Sequence, residues 1–254
     1  MPTYPEFAGR VVAVTGAAQG IGAVTALAFA REGAHVTLLD IDEAGAQSVA
    51  AEITGAGGRA IVVRTDVTDD QSVAAAIAHI IKEYGGLDVL VNCAGGYGKL
   101  TTVEEMPLEE WDNTIALNLR SVFLMSRAAI PHLKKSKAGR IINVSSISGR
   151  QVTVASSPAY GSAKAAVIQF TRFLAQQLGP DGITANAIAP ITTLTARVKA
   201  LRTEEDVARI AALVPLKRLA VSEDHANAML FLASDAAAYI NGVTLDVNGG
   251  RVMM

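Results

Sequence analysis

Short runs of β-branched and aliphatic residues alternate along the chain with longer stretches of helical periodicity. The segments Arg10–Thr15, His35–Asp40, Ala60–Thr65, Leu87–Asn92, Arg140–Val144, Thr184–Ile188 and Val243–Val247 are predicted strands. Most are unbroken apolar runs rather than apolar–polar alternations, the pattern of strands covered on both faces. Between them Ile21–Glu32, Glu43–Thr54, Gln71–Tyr84, a long Glu109–Lys134, Ala159–Leu178 and Ser222–Ser234 are predicted helices. Gly33, Gly85 and Gly179 are placed to end three of these, with Pro180 just beyond the last, while Pro131 and His132 interrupt the long one. Strand and helix in strict alternation imply right-handed crossovers and an α/β fold, a doubly wound parallel sheet with helices on both faces. Ligands of such sheets bind beyond the carboxyl ends of the strands.

The length of 254 residues, with no repeat, low-complexity tract or linker, is read as a single domain over 1–254. Residues 11–30 carry no charge over a span long enough to cross a bilayer. That span contains Thr15, Gly16, Gln19, Gly20 and Gly22, and its β-branched first half gives way to an alanine-rich second, so it is read as a strand turning into a helix. The N-terminus has two prolines and no basic start before an apolar run, unlike a secretory signal, and no membrane partner is expected. A net charge of −2 argues against nucleic acid as the main partner, which needs a dense Lys/Arg face. A single cysteine, Cys93, excludes a disulfide scaffold and a multi-cysteine metal site, and suits a reducing, cytoplasmic compartment. No metal is expected, and Cys93 reads as a small apolar side chain rather than a nucleophile.

The first predicted strand runs into Thr15-Gly-Ala-Ala-Gln-Gly-Ile-Gly22 and then directly into a helix. Glycines at 16, 20 and 22 let the backbone turn tightly and approach a pyrophosphate, and the helix start supplies free N–H groups and a positive dipole end. Asp40 closes the second strand; a carboxylate there accepts from both ribose hydroxyls and repels a 2′-phosphate. With no Arg or Lys in the glycine-rich turn, this selects NAD over NADP. Asp66 and Val67 follow the third strand, suited to the adenine, and Asn92-Cys93-Ala94-Gly95 follows the fourth, where small residues admit the cofactor close to the backbone. After the fifth strand come Ser145, Ser146 and Gly149, then Tyr160 and Lys164, which share one helix face at i and i+4.

In this order, with Asn118 and a closing Asn248-Gly-Gly250, the motifs resemble the short-chain dehydrogenase/reductase family nearly end to end. The resemblance implies a Rossmann domain with a seven-stranded parallel sheet and a hydride exchange between a nicotinamide cofactor and a secondary alcohol or ketone. It implies Tyr160 as acid/base, Lys164 as its electrostatic partner and a ribose ligand, Ser146 as the hydroxyl orienting the carbonyl, and Asn118 as holder of a proton-relay water. Cofactor contacts are then expected at Gly16, Gln19, Gly20, Ile21, Gly22, Asp40, Ile41, Asp66, Val67, Asn92, Ala94, Gly95, Tyr160, Lys164, Pro190, Thr192 and Thr193. Family members are commonly homotetramers, and the helices over 109–134 and 159–178, with the apolar end Val252-Met253-Met254, suit self-association.

Two departures stand out. Ser146 and Tyr160 lie fourteen positions apart, one more than the family pattern, so the loop Arg150–Pro158 is expected to bulge; and Ile191 stands where the family has a glycine after Pro190, leaving Thr192, Thr193 and Thr195 as candidates for the carboxamide contact. A substrate lid is expected over about 192–216, offering Val198, Leu201, Ile210 and Leu213 among Lys199, Arg202 and Arg209, with Gly96–Leu100 and Gln151–Ala155 as the other walls. This favours a mainly apolar substrate. A reductase of 3-oxoacyl chains on acyl carrier protein needs a basic patch for its acidic partner, and neither Gln176-Gln177 nor Pro131-His132 supplies one. A sugar or polyol dehydrogenase is an alternative, and a dinucleotide-binding sensor or scaffold is the non-enzymatic one.

Overall fold

The computed structural model describes residues 4–96, 98, 100–153, 156–195, 198 and 203–253. The strands β1 (Val11–Thr15), β2 (His35–Asp40), β3 (Arg59–Arg64), β4 (Val89–Asn92), β5 (Arg140–Val144), β6 (Thr184–Pro190) and β7 (Thr244–Val247) form one parallel sheet in the order β3-β2-β1-β4-β5-β6-β7. The order reverses between β1 and β4, whose register pairs Val12 with Val89 and Val14 with Val91. A crevice opens beyond their carboxyl ends at such a switch point.

The unbroken apolar runs have the physical cause expected of them: both faces of each central strand are covered. Val12 and Val14 of β1 face one core with Val36 and Leu38, under helices α1 (Gly20–Arg31) and α2 (Glu43–Gly55). Val11 and Ala13 face the other with Leu90 and Ile141, under α3 (Asp70–Tyr84). Chain order then gives α4 (Leu108–Ile115), a π-helical turn Ala116–Arg120, α5 (Ser121–Leu133), α6 (Pro158–Leu178), α7 (Glu204–Ala212) and α8 (Ser222–Ala233). Helices α5 and α6 join α3 on the second core, and α8 joins α1 on the first. Residues 11–30 are β1 and α1, and among the described residues no helix is long and apolar enough to cross a membrane.

Two points differ from expectation. The stretch 109–134 is helical without a break from Leu108 to Leu133, but a π turn at Ala116–Arg120 interrupts its α-helical bonding, while Pro131, expected to interrupt it, sits inside α5. Proline there falls in the last turn, where a missing backbone N–H disturbs least of the helix that follows. Helix α6 ends at Leu178 with Gly179 as its cap, as expected; Gly179 keeps right-handed φ and opens a 3₁₀ turn through Asp181, and the left-handed residue is Gly182. Helix α7 was unforeseen within the lid, although Thr203 caps it by accepting from the N–H of Asp206, and Glu204, Glu205 and Asp206 crowd its first turn. That cap followed by carboxylates is a helix-start signal.

One side chain fastens the two strands at the switch point. Thr15 Oγ1, buried at the end of β1, accepts from the N–H groups of both Cys93 and Ala94, each at 3.0 Å. Thr15→Val keeps the shape and removes the acceptor from both donors, so a loss of about 2–4 kcal/mol is expected. Urea unfolding checks this, as a lower midpoint at unchanged slope.

Candidate active site

The glycine-rich turn is built for close approach. A Cβ on Gly16, whose φ is +66°, would stand 2.9 Å from the Cα of Ala94, and one on Gly22 would stand 2.1 Å from the carbonyl oxygen of Gly16. Neither position admits a side chain, so the chain passes backbone against backbone, with bare N–H groups at the start of α1. No carboxylate occupies the first turn of α1, and Gln19 makes no side-chain cap. Such a cradle fits a dinucleotide pyrophosphate. Asp40 points at it from β2: one carboxylate oxygen accepts from the N–H of Ala18 at 2.8 Å and the other from that of Asp42 at 3.0 Å. Ile41 beside it is 57% exposed, an apolar surface next to that carboxylate.

Asp66 turns one oxygen to Thr68, accepting from its N–H at 2.9 Å and its hydroxyl at 2.7 Å, and Val67 is buried next to it. The side chain of Asn92 does not face the crevice. Its amide donates to Asn143 Oδ1 at 2.9 Å and to Ser126 Oγ at 3.3 Å within the core, leaving only the backbone of Asn92 for a cofactor.

The next constellation gathers on β4, β5 and the start of α6. Ser157 caps α6 by accepting from the N–H of Tyr160, and Tyr160 lies with the Lys164 ammonium 5.6 Å from its ring centroid. Lys164, 3% exposed, donates through Nζ to the carbonyl of Val144 at 2.8 Å, and so ties α6 to the end of β5. Burial lowers its pKa to about 8. The thiol of Cys93 stands close by, but burial pushes it up to about 12, so at neutral pH it offers the ammonium no negative charge. Gly95 completes the wall: a Cβ there would meet Asn118 Oδ1 at 2.7 Å and Lys164 Nζ at 3.1 Å, so these two groups share the space in front of one glycine.

Asn118 is fully buried in the π turn. Its amide donates to the carbonyls of Gly96 and Thr114 at 2.7 and 2.9 Å, and its oxygen accepts from the N–H of Gly96 at 2.9 Å. Ser146 caps the 3₁₀ turn Ile147–Gly149 by accepting from the N–H of Ser148, which leaves its hydroxyl hydrogen uncommitted among the described residues. Ser145 is spoken for, donating to the carbonyl of Lys164 at 2.8 Å. A Cβ on Gly149 would lie 2.6 Å from the backbone carbon of Lys164, which explains a glycine three positions after Ser146.

Beyond β6 the expected contacts divide. Pro190 ends the strand, and Ile191 turns into a small apolar cluster with Val214, Ala220 and Ile147. Thr193 also turns inward: its hydroxyl is 2.7 Å from His225 Nε2 and donates to the carbonyl of Ile191 at 2.8 Å, so it has no hydrogen left for a carboxamide. Thr192 and Thr195 remain half-buried. In the lid Ile210 is half-buried and Leu213 exposed, while Arg209 pairs with Asp206. Lys199, Leu201 and Arg202 of the lid, Tyr97 and Lys99, Val154 and Ala155, and Met254 lie outside the described residues. Sequence reading passed over His225 because a lone histidine on an apolar helix face carries no spacing signal.

A family model described as enoyl-(acyl carrier protein) reductase matches residues 16–251. The chain belongs to the short-chain dehydrogenase/reductase family. It is 44% identical to cis-4-hydroxycyclohexanecarboxylate dehydrogenase of Sinomonas cyclohexanicum, covering 96% of this chain and 97% of that one. It is 39% identical to the 3-oxoacyl-(acyl-carrier-protein) reductase of Escherichia coli strain K12, over 98% and 100%. To D-threitol dehydrogenase of Mycolicibacterium smegmatis the identity is 37%, over 95% and 92%. As a short-chain dehydrogenase/reductase the protein is an enzyme of hydroxyl and keto groups that uses a nicotinamide dinucleotide.

The buried ammonium has a thermodynamic signature. Lys164 releases its proton near pH 8 when folded and near 10.5 when unfolded, so between those values the unfolded chain holds more protons. Native stability therefore rises with pH across that window relative to a chain without the amine. Denaturant unfolding of the cofactor-free protein at pH 7.5 and pH 10.5 should find the native chain gaining about 3 kcal/mol against Lys164→Met.

Proposed function

We propose that the protein is an NAD-dependent oxidoreductase interconverting a mainly apolar secondary alcohol and its ketone, with Tyr160, Lys164, Ser146 and Asn118 as its catalytic set. The observation that carries this reading is the buried Lys164 ammonium, held on the Val144 carbonyl beneath the ring of Tyr160. With a pKa of about 8 the amine is mostly charged at neutral pH, and few dipoles shield it. A phenol next to it ionises more readily than in water, where its pKa is about 10. The bound nicotinamide supplies the hydride acceptor or donor. In oxidation Tyr160 as phenolate takes the hydroxyl proton of the substrate; in reduction the neutral phenol returns it to the carbonyl oxygen. Ser146 directs its free hydroxyl hydrogen at that oxygen and stabilises the charge that develops there. Asn118 holds Gly96 in place through both of its amide atoms, and the relay water is assigned to its turn.

Gly16, Gln19, Gly20, Ile21 and Gly22 would hold the pyrophosphate, Asp40 and Ile41 the adenine-side ribose, Asp66 and Val67 the adenine, and the backbone of Asn92, Ala94 and Gly95 the path between. Pro190, Thr192 and Lys164 would hold the nicotinamide end. Asp40 favours NAD: a 2′-phosphate would meet a carboxylate already fixed toward the turn by Ala18 and Asp42. For the substrate, an open apolar groove of about 240 Å³ is lined by Val103, Met106, Leu108, Trp111 and Pro158, with Pro158 standing two positions before Tyr160 in the chain. Its apolar lining favours a carbocyclic or aliphatic alcohol over a sugar, in keeping with the name of the cyclohexanecarboxylate relative.

Both sites lie at the carboxyl ends of the strands of one sheet, so the chain 1–254 is taken to act as one unit, with the lid over about 192–216. Exposed Phe123 and Phe173 on α5 and α6 support self-association, read as a homotetramer, and the single Cys93 suits the cytoplasm.

Nicotinamide absorbance with a panel of cyclic and aliphatic alcohols tests the reaction, and Tyr160→Phe should lower kcat by about 10²–10⁴ with cofactor affinity retained. Turnover equal to that of the native enzyme would remove Tyr160 from the chemistry. Asp40→Ala should weaken NADH binding by about tenfold and level or reverse the preference over NADPH, read by calorimetric titration of both.

A further inference from the structure

His225 lies on α8, far in sequence from every motif so far assigned a role, and is fully buried. Its Nε2 meets the Thr193 hydroxyl at 2.7 Å, while Nδ1 is buried without a partner among the described residues. The same hydroxyl donates to the Ile191 carbonyl at 2.8 Å. A hydroxyl has one hydrogen, so with that hydrogen on Ile191 the imidazole must donate from Nε2 and leave Nδ1 as a bare acceptor. A leucine would fill this space without stranding a nitrogen, and burying an unpartnered polar atom costs free energy. A compensating demand is therefore to be sought at Thr193.

That demand lies in where the pinned segment runs. Thr193 bridges Ala220 in parallel, with the Leu194 N–H donating to the Ala220 carbonyl at 2.8 Å. Ile191 is anchored among Val214, Ala220 and Ile147. Two residues on, the Thr195 methyl stands 3.6 Å from where a Cβ on Gly20 would lie, so the chain leaving β6 passes over the glycine-rich turn. We propose that His225 is a positioning residue for the dinucleotide: from α8 it pins Thr193 and so holds residues 192–195 over the cofactor crevice. The proposal rests on the reading of that crevice as the NAD site. Imidazole and hydroxyl fix a direction as well as a distance, which an apolar contact does not. Burial lowers the pKa of His225 to about 4, so the pin keeps one form throughout the neutral range.

The test compares the native chain with His225→Leu, His225→Gln, Thr193→Val and the double variant His225→Leu/Thr193→Val, each first checked by thermal melting. Gln carries an N–H near the position of Nε2 and should restore the pin. In the cofactor-free protein, hydrogen exchange at the Leu194 amide should quicken about tenfold or more in His225→Leu and in Thr193→Val, and stay within about twofold of native in His225→Gln. Calorimetric titration should find the Kd for NADH raised about 5- to 20-fold by either disruption, with the double variant no weaker than the weaker single. Steady-state kinetics of His225→Leu should show the loss in KM for NADH, with kcat at saturation within about twofold of native. Native exchange and native Kd in folded His225→Leu would overturn the proposal, as would effects that multiply in the double variant. Should His225→Leu not fold, Thr193→Val against His225→Gln decides by the same two readouts. A native chain that binds neither NADH nor NADPH would overturn the reading of the crevice, and the exchange data would still decide the pin.

Discussion

A positive charge has been taken out of water and set on a main-chain carbonyl. Lys164 is nearly inaccessible, and its ammonium donates to Val144 at the end of β5 while standing under the ring of Tyr160. Much of the surrounding structure exists to hold that arrangement. Ser145 ties the backbone of Lys164 from one side, Gly149 lets the 3₁₀ turn close on it from another, and Gly95 leaves the space in which Nζ and Asn118 meet. The depressed pKa is the cost of the placement, and it accompanies a field at the phenol that an exposed lysine would not produce.

The fold was almost entirely legible in the chain. Strands buried on two faces read as continuous apolar runs, and Val11 to Thr15 show why: successive residues serve opposite cores and none can be polar without a partner. The glycine-rich turn and the Tyr160–Lys164 spacing were equally legible, because tight backbone passage and one helix face leave marks in local sequence. What escaped was decided at long range. Asn92 and Thr193 carry polar groups at strand ends, which reads as access to the crevice. Asn143 and His225, 51 and 32 residues away, draw them inward. Helix α7 was missed for another reason: its cap and acidic first turn were visible, but the expectation of a lid masked them.

The segment leaving β6 keeps its order without the glycine that was expected there. The glycine expected after Pro190 is replaced by Ile191, whose side chain fills a cluster with Val214, Ala220 and Ile147. An apolar anchor and a hydroxyl–imidazole contact therefore fix the segment from two sides. Both bear on where residues 191–195 run against the glycine-rich turn rather than on Tyr160 and Lys164.

The widened turn at Ala116–Arg120 has one more consequence. Bonding from i to i+5 takes up one residue more per turn than an α-helix does. Residue count, and not residue identity alone, then sets where Asn118 points. Removing one position anywhere in the turn would let α4 and α5 merge into an ordinary helix, and Asn118 would swing about 100° around its axis. Gly96 would lose both bonds it shares with that amide. Insertions and deletions, usually absorbed in loops, are thus excluded from the middle of a helix by the geometry at its far side.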